Sequence, residues 1–252
     1  MGQVDDLEKY RAPALDKGLD ILELLAATEE GLSQAEIAKA LDRSPNEIYR
    51  MLDRLVHRGF VRRTPADRYE VTLKLFELAH ARPPLQRLLS QAIPVMRRFA
   101  REAQQACHIA TYDRGALVVA AQVDGPGYWN VSVRVGSRLS LINTGSGHIM
   151  LAFASPEERR LMLEEQEQPE AMTSALEERL AQVRQQGFEN MQSLQITAVS
   201  NLSVPILGPM GRVLAVFTSP YSERLDVGTA PSGEAVLQLL IDCGQEISQR
   251  RG

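Results

Sequence analysis

The chain has 252 residues, of which 44% are hydrophobic and 24% are charged, and its formal net charge is −4. This length and composition indicate a globular protein with room for two domains that have separate cores. No apolar run reaches membrane-spanning length, and the polar, acidic N-terminus has no secretory signal pattern, which favours a cytoplasmic protein over a membrane protein. Cys107 and Cys243 lie far apart and outside any metal-binding spacing. We therefore expect both cysteines to be reduced, with no metal or other cofactor.

Two short helices joined by a tight turn are predicted in the first quarter of the chain. Ser33, with Glu36 three residues later, forms a capping box that satisfies the first free backbone amides of a helix. Ser44 and Glu47 repeat this arrangement at the start of a second helix, predicted over 44–57. Apolar residues recur at spacings of three and four in both helices and leave a polar outer side on the second. The layout is typical of a helix-turn-helix, whose second helix enters the DNA major groove, although capped helix pairs also occur in other all-α proteins.

A short β-hairpin is predicted directly after the second helix. Gly59 ends that helix, and the alternating runs 60–63 and 68–71 flank a Thr-Pro-Ala-Asp turn. A hairpin in this place is a wing, whose arginines can contact phosphates or the minor groove, although an ordinary solvated hairpin edge also carries arginine. Residues 43–68 contain seven arginines and three acidic residues. This basic patch in an acidic chain favours a local DNA footprint.

We therefore predict a domain over 12–71 that binds double-stranded operator DNA. In helix 44–57, base contacts would come from Asn46, Tyr49, Arg50 and Ser44, whereas Arg54 and the arginines of the wing would contact phosphates or the minor groove. Glu47 would either cap its helix or accept a hydrogen bond from a cytosine amino group. The predicted DNA-binding residues are Ser44, Asn46, Tyr49, Arg50, Arg54, Arg62, Arg63 and Arg68.

The rest of the chain is predicted to be a linker helix, over 72–84, and a second domain, over 85–252. An Arg-Pro-Pro sequence ends the linker, and Pro94 is expected to interrupt or restart the helix that follows. Strands flanked by helices indicate an α+β domain that starts with an antiparallel meander. The predicted strands are 107–112, 116–123, 128–135, 197–207 and 212–219, and the predicted helices are 145–153, 156–165, 174–186 and 232–249.

Small residues fill the sequence Asn-Thr-Gly-Ser-Gly-His at 143–148, which leads into a predicted helix. Free amides at a helix N-terminus attract anions, and glycine lets a ligand approach, but a tight strand-to-helix turn has the same composition. Cys107 and His108 are adjacent in a predicted strand, so they face opposite sides. No nucleophile elbow, paired-histidine metal motif or dinucleotide fingerprint is present. We therefore expect a regulator, with an enzyme that uses this second domain as the minor alternative.

These motifs resemble, in their order and spacing, those of IclR-type bacterial transcription regulators. The similar segments are the helix at 14–25, the helix pair and wing, 134–141, 144–153 and 201–206. The resemblance covers roughly residues 12–250 and implies a winged helix-turn-helix, joined by a linker helix to a GAF-like domain with a curved antiparallel sheet. We expect a homodimer or a tetramer on a palindromic operator.

The resemblance also implies a pocket for a small organic acid or aromatic effector. His148 stands where the family often has lysine, and Asn201 and Val216 stand where it often has cysteine and serine, so the ligand could be less polar or uncharged. Trp129 is included among the predicted effector-binding residues because a regular strand would point it to the same face as Val131. A position of Trp129 in the core or in an interface is equally consistent with the sequence. The predicted effector-binding residues are Trp129, Val131, Leu139, Gly145, Ser146, Asn201, Val216 and Thr218. The predicted function is a repressor whose operator binding responds to this effector; the alternative is a winged-helix regulator that binds no ligand.

Overall fold

The computed structural model describes residues 12–166, 172–224 and 230–250. The chain forms two compact units, one up to Gln86 and one from Arg87 onward. Each unit has its own hydrophobic core, as the chain length predicts. Within the described residues, no helix combines the length and the apolarity that a membrane crossing requires.

The first unit consists of helices and a two-stranded antiparallel hairpin. Ile21, Ile37 and Ile48, one from each of its first three helices, are fully buried and form the centre of its core together with Leu52. These side chains come from the apolar positions at spacings of three and four. The elements are α1 (Pro13–Ala26), α2 (Gln34–Ala40), α3 (Pro45–His57), β1 (Val61–Arg63), β2 (Tyr69–Val71) and α4 (Lys74–His80).

Local sequence signals explain where the helices of the first unit begin and end. Ser33 accepts a hydrogen bond from the N–H of Glu36, whose carboxylate accepts one from the N–H of Ser33, and the same capping box begins α3. Gly59 has a φ of +76°, in the left-handed region that favours glycine, and it turns the chain from α3 into β1. The predicted helix-turn-helix and wing are therefore confirmed.

The second unit is built on a six-stranded antiparallel sheet. Its strands lie in the order β5, β4, β3, β8, β7, β6 as numbered below. The elements are α5 (Pro83–Ala103, which starts before the boundary between the units), β3 (Cys107–Asp113), β4 (Ala116–Val123), β5 (Arg138–Leu139), α6 (Gly145–Phe153), α7 (Pro156–Glu164), α8 (Ser174–Gln186), β6 (Glu189–Gln192), β7 (Val199–Leu207), a 3₁₀ turn (Pro209–Gly211), β8 (Val213–Ser222) and α9 (Gly233–Gln249).

Helices α5 and α6 cover opposite faces of this sheet. Successive side chains of a strand point to opposite faces. Phe217 of β8 packs edge-to-face against Phe99 of α5, with 5.3 Å between the ring centroids. Thr218, the next residue, forms a 2.8 Å hydrogen bond with Ser146 at the start of α6. The predicted α+β class with an antiparallel sheet is therefore confirmed.

The prediction of a strand over 128–135 is wrong, because this segment is irregular. Asn130 Oδ1 accepts a 2.8 Å hydrogen bond from the N–H of Gly125, and its Nδ2 donates to the carbonyl of Gly127 at 3.1 Å. Such local side-chain bonds compete with a strand ladder. The alternating valines of this segment therefore do not identify a strand.

The prediction that Pro94 interrupts or restarts its helix is also wrong, because α5 continues through it. Val95, Met96 and Phe99 are all buried beyond the proline, as Ala92 is before it. Packing on both sides stabilises the helix despite the hydrogen bond that proline cannot donate. Strand β6 is missing from the sequence prediction because its sequence, Glu-Asn-Met-Gln, has no apolar alternation.

Candidate DNA interface and effector cavity

Helix α3 buries one side and exposes the other. Ile48 and Leu52 are fully buried and set the rotation of the helix against the core. The polar residues that the sequence assigned to the outer side are exposed there, spaced three and four apart, so they share one face. This α3 polar surface consists of Asn46, Tyr49, Arg50, Asp53 and Arg54.

Arg50 and Arg54 have no counter-charge inside the described part of the chain. Neither side chain forms an ion pair or a hydrogen bond there, and the same is true of the Asn46 amide. Arginine pairs bidentately with guanine and asparagine with adenine in the major groove. The α3 polar surface therefore presents donors and acceptors that are available to a base edge.

Ser44 and Glu47 are used at the start of α3. The Ser44 hydroxyl donates to Glu47 Oε2 at 2.8 Å and accepts from the Glu47 N–H at 3.4 Å. Lys17 Nζ also donates to Glu47 Oε1. Hydrogen bonds from Lys17 and Ser44 lower the pKa of Glu47 to about 2. Of the two roles considered for Glu47, the structure shows the cap, and a base contact by Ser44 would compete with it.

Arg62 and Arg63 of the wing are exposed, but each has a carboxylate partner. Arg62 Nη2 lies 2.7 Å from Oε2 of Glu70, its cross-strand neighbour. Arg63 pairs with Asp67, and its guanidinium lies 5.9 Å from the ring centroid of Tyr69. A DNA phosphate would have to compete with these carboxylates. The range 43–68, over which the basic patch was counted, leaves out Glu70, which lies just beyond it in the same hairpin.

Arg68 is predicted to contact DNA, but in the structure it holds the wing against the preceding loop. Its Nη2 donates to the Gly31 carbonyl at 3.0 Å, and its Nε donates to the Glu30 carbonyl at 3.2 Å. Nη2 also lies 3.2 Å from Glu36 Oε2. These contacts use most of the donors of the guanidinium, so they favour a structural role for Arg68.

A cavity of about 330 Å³ lies between the start of α6 and the strands of the sheet. Residues from four strands and from the 143–148 sequence contribute to its wall. His108 and Val199 also line it, and sequence reasoning did not propose them because nothing local relates them to the α6 loop. The predicted effector residues that line this cavity are Val131, Leu139, Gly145, Ser146, Asn201 and Thr218.

Two predicted effector residues do not line this cavity. Val216 is fully buried in the hydrophobic core. Trp129 is 77% exposed and, with Tyr128, borders a separate cavity of about 370 Å³. Trp129 was expected to face the same side as Val131 only if the two residues lay in a regular strand. The chain is irregular there, so this expectation has no support. Trp129 is therefore not a wall of the α6 cavity.

A buried ion cluster supports the helix that closes the cavity. His148 Nδ1 lies 2.7 Å from Glu189 Oε2, and its Nε2 lies 2.7 Å from the Ile142 carbonyl oxygen. Arg179 of α8 pairs with the same carboxylate. Burial by itself would raise the pKa of Glu189, but the hydrogen bonds from His148 and Arg179 outweigh it and lower the pKa. His148 thus has a structural role in this cluster, at the position where lysine is frequent in the resembling family.

The cysteines have no reactive environment. Burial raises the pKa of Cys107 and that of Cys243 above the ordinary range, which disfavours the thiolate that a nucleophile needs. Among the residues that the structure describes, no group of three histidine, cysteine, aspartate or glutamate side chains could hold a metal ion.

Gly147 allows the loop before α6 to close on the helix. A Cβ atom at this position would lie 2.2 Å from the Leu141 carbonyl oxygen, so the backbone would have to move. We expect Gly147→Ala to lower the free energy of unfolding by about 2 kcal/mol. Gly18→Ala in α1, where a Cβ would meet nothing within 4 Å, is the control and should stabilise or change little. Urea denaturation would measure both variants, and equal stabilities would contradict the close approach.

Comparison with known proteins agrees with both units. Residues 14–65 match the IclR helix-turn-helix domain, and residues 85–249 match the C-terminal domain of the bacterial transcriptional regulator IclR. The HTH-type transcriptional regulator KdgR of Escherichia coli (strain K12) is 27% identical over 206 residues, which cover 79% of this chain and 78% of KdgR. The HTH-type transcriptional repressor AllR of the same organism is 24% identical over 260 residues, which cover 100% of this chain and 94% of AllR.

Solved structures show the same fold. The Thermotoga maritima IclR has a TM-score of 0.74 at 22% identity, and the match covers 96% of this chain and 100% of that chain. An IclR homolog from Microbacterium hydrocarbonoxydans, complexed with 4-hydroxybenzoate, has a TM-score of 0.76 at 20% identity, over 94% of this chain and 98% of that chain.

A winged helix-turn-helix joined to an effector-binding domain defines a DNA-binding transcription regulator. The chain belongs to the IclR family of bacterial transcription regulators. Its relatives are named transcriptional regulators. Of the two functions considered from the sequence, a regulator and an enzyme, the prediction of a regulator is therefore confirmed.

Proposed function

We propose that this protein is an effector-responsive repressor that binds a palindromic operator as a homodimer or a dimer of dimers. The observation that carries the proposal is the α3 polar surface, where Asn46, Arg50 and Arg54 are exposed and have no partner among the described residues. Such residues on the second helix of a helix-turn-helix read base edges in the major groove. Tyr49, on the same surface, would contact a phosphate or a base.

The second unit supports the effector response. Its cavity of about 330 Å³ has a size suited to a small organic molecule. One structural neighbour is complexed with 4-hydroxybenzoate, which supports a small organic or aromatic ligand in this chain as well. The named repressor AllR, which matches the whole chain, supports repression.

Exposed apolar residues on the first unit support self-association. Helix α4 has no buried residue, and Leu73, Phe76 and Leu78 on or beside it are each more than half exposed. Leu15 of α1 is 61% exposed. Apolar groups of this kind are stabilised by a partner surface, and a second copy would also supply a second α3 for a palindromic half-site.

The test is operator binding by the purified chain, followed by a ligand screen. Sequence-specific binding to DNA from upstream of its own gene, weakened by a compound that also raises the melting temperature, would support the whole proposal. A regulator whose second unit only dimerises would bind the operator without any compound changing either quantity. A compound that instead strengthens operator binding would contradict ligand-induced release.

Replacing Arg62 with alanine is expected to reduce the salt dependence of DNA binding. If Arg62 contacts one phosphate, the slope of log K against log salt should fall by about one for all DNA sequences. Arg114→Ala is the matched control, because Arg114 is an exposed arginine of the second unit that also pairs with a carboxylate. Electrophoretic mobility shifts over a salt series would measure both slopes. An unchanged slope for Arg62→Ala would leave Arg62 as a partner of Glu70 only.

A further inference from the structure

His108 is a buried polar residue whose Nε2 lacks a hydrogen-bond partner among the residues that the structure describes. The residue is 3% exposed. In the sheet it lies opposite Thr218, so both side chains are on the α6 face, and both line the cavity. Burial lowers the pKa of His108 to about 4, so the ring is neutral at physiological pH. A buried polar group without a hydrogen bond is costly, which suggests that a ligand completes it.

A chain of hydroxyl groups ends beside this ring. Thr218 Oγ1 donates to Ser203 Oγ at 2.8 Å, and Ser146 Oγ lies 2.8 Å from Thr218 Oγ1. A hydroxyl has one hydrogen, and that of Thr218 is already used, so Ser146 is the donor in the second bond. Ser146 Oγ is therefore left with acceptor capacity toward the cavity. A ligand that donates a hydrogen would fit this end of the chain.

The cavity offers little charge to an anion. Among the described residues that line it, Arg138 is the one cation, because the ring of His108 is neutral. Arg138 Nη2 donates to the Arg114 carbonyl at 2.8 Å, and its Nη1 lies 3.5 Å from Asp113 Oδ2, so its charge is already compensated. A buried carboxylate without a paired cation is unfavourable and accepts hydrogen bonds without donating any.

The remaining wall combines apolar and polar side chains. Val131, Val133, Leu139 and Val199 supply apolar surface, and uncharged polar groups come from Ser132, Ser193, Gln195 and Asn201. Gly145 and Ser146 are the first residues of α6, and their backbone N–H groups have no intrahelical partner. These amides can donate to a neutral oxygen as well as to a charged one. An uncharged ligand with an apolar body and a hydroxyl group at the end of the cavity near Ser146 and His108 therefore matches this lining.

We propose that the cavity binds an uncharged alcohol or phenol, whose hydroxyl donates to Ser146 Oγ and accepts from the ring of His108. This inference rests on the proposed function, because it assumes that the cavity is the effector site. His108 is then a specificity-determining residue that selects a neutral hydroxyl over a carboxylate. Within the described part of the chain, no hydrogen bond of the fold uses its Nε2.

The test compares three probes in isothermal titration calorimetry with the full chain at neutral pH. 4-Methylphenol is neutral and donates a hydrogen, 4-methylanisole is neutral but cannot donate one, and 4-hydroxybenzoate carries a carboxylate. 4-Methylphenol should bind about tenfold more tightly than either of the others, with an affinity that stays constant across neutral pH. His108→Leu should lose about the same factor for 4-methylphenol, whereas His108→Gln, which keeps a polar group, should retain most of the affinity.

Stability separates ligand binding from a structural role. Because His108 is unpartnered, His108→Leu should leave the melting temperature of the ligand-free protein unchanged or raise it. Thr111→Val, in the same strand but outside the cavity, is the control and should bind the probes like the original chain.

Three results would overturn this assignment. The first is that 4-hydroxybenzoate binds as tightly as 4-methylphenol or more tightly. The second is that His108→Leu binds 4-methylphenol as well as the original chain does, and the third is that none of the three probes binds. Operator binding by the same preparations is measured in parallel. Its presence would limit the failure to the ligand class, whereas its absence would contradict the proposed function itself.

Discussion

Replacing Glu189 with glutamine is expected to lower the free energy of unfolding by about 3 kcal/mol. The carboxylate is fully buried and holds His148 and Arg179, so its loss leaves the Arg179 guanidinium without its counter-charge and His148 without its acceptor. The value is at the lower end for a broken buried ion pair, because the Arg179 side chain is 36% exposed. Urea denaturation followed by circular dichroism would measure the change.

Glu178→Gln is the matched control for this prediction. Glu178 precedes Arg179 on α8 but is exposed, so its substitution should change stability by less than about 0.5 kcal/mol. Equal stabilities of the two variants would show that the Glu189 cluster does not stabilise the second unit.

The same cluster predicts how stability depends on pH. The folded-state pKa of Glu189 is lowered, so its contribution is complete near neutral pH and is lost as the pH falls through that lowered pKa. The Glu189→Gln variant should therefore lose less stability than the original chain between neutral and strongly acidic pH.

Replacing Arg50 with alanine is expected to weaken specific operator binding by about 1–3 kcal/mol, or about 5–150-fold, if Arg50 reads guanine bidentately. Arg50 is exposed at the centre of the α3 polar surface, and no carboxylate competes for it within the described residues. Fluorescence anisotropy with operator and scrambled duplexes would measure the loss, which should be much larger for the operator.

Two further variants distinguish base reading from general charge. Arg50→Lys keeps the positive charge but not the planar pair of donors. Compared with Arg50→Ala, it should therefore recover nonspecific DNA binding more fully than operator binding. Arg114→Ala removes an exposed arginine from the second unit and should leave both unchanged. Unaltered operator affinity in Arg50→Ala would exclude Arg50 as a base-reading residue.

The features that sequence reasoning predicted well are those that neighbouring residues determine. The capping boxes at Ser33 and Ser44, the left-handed Gly59 and the small-residue entry to α6 depend on a few consecutive positions. They located the helix-turn-helix, the wing and the part of the cavity wall at the start of α6. The other wall residues that were predicted, such as Val131 and Thr218, came from the family resemblance. The strand predicted at 128–135 failed because the side chain of Asn130 offers the backbone a competing set of hydrogen bonds.

The features that sequence reasoning missed are pairings between distant positions. Glu189 meets His148 across 41 residues, and nothing near either residue indicates the contact. His108 enters the cavity wall because β3 pairs with β8. The charge of the wing was overestimated for a different reason, because the counted range 43–68 ends before Glu70, which lies in the same hairpin and pairs with Arg62. Arg68, assigned to DNA from its place in the hairpin, instead bonds to the Gly31 carbonyl.

The most direct test of the central conclusion is the binding of the purified chain to DNA from upstream of its own gene, over a salt series and against scrambled duplex. We expect a complex that prefers this DNA over scrambled duplex. Its affinity should fall steeply as the salt concentration increases, because several arginines of α3 and the wing displace counterions. We also expect that Arg50→Ala removes most of the preference. The absence of binding to any duplex, even at low salt, would contradict the assignment of α3 as a DNA-reading helix.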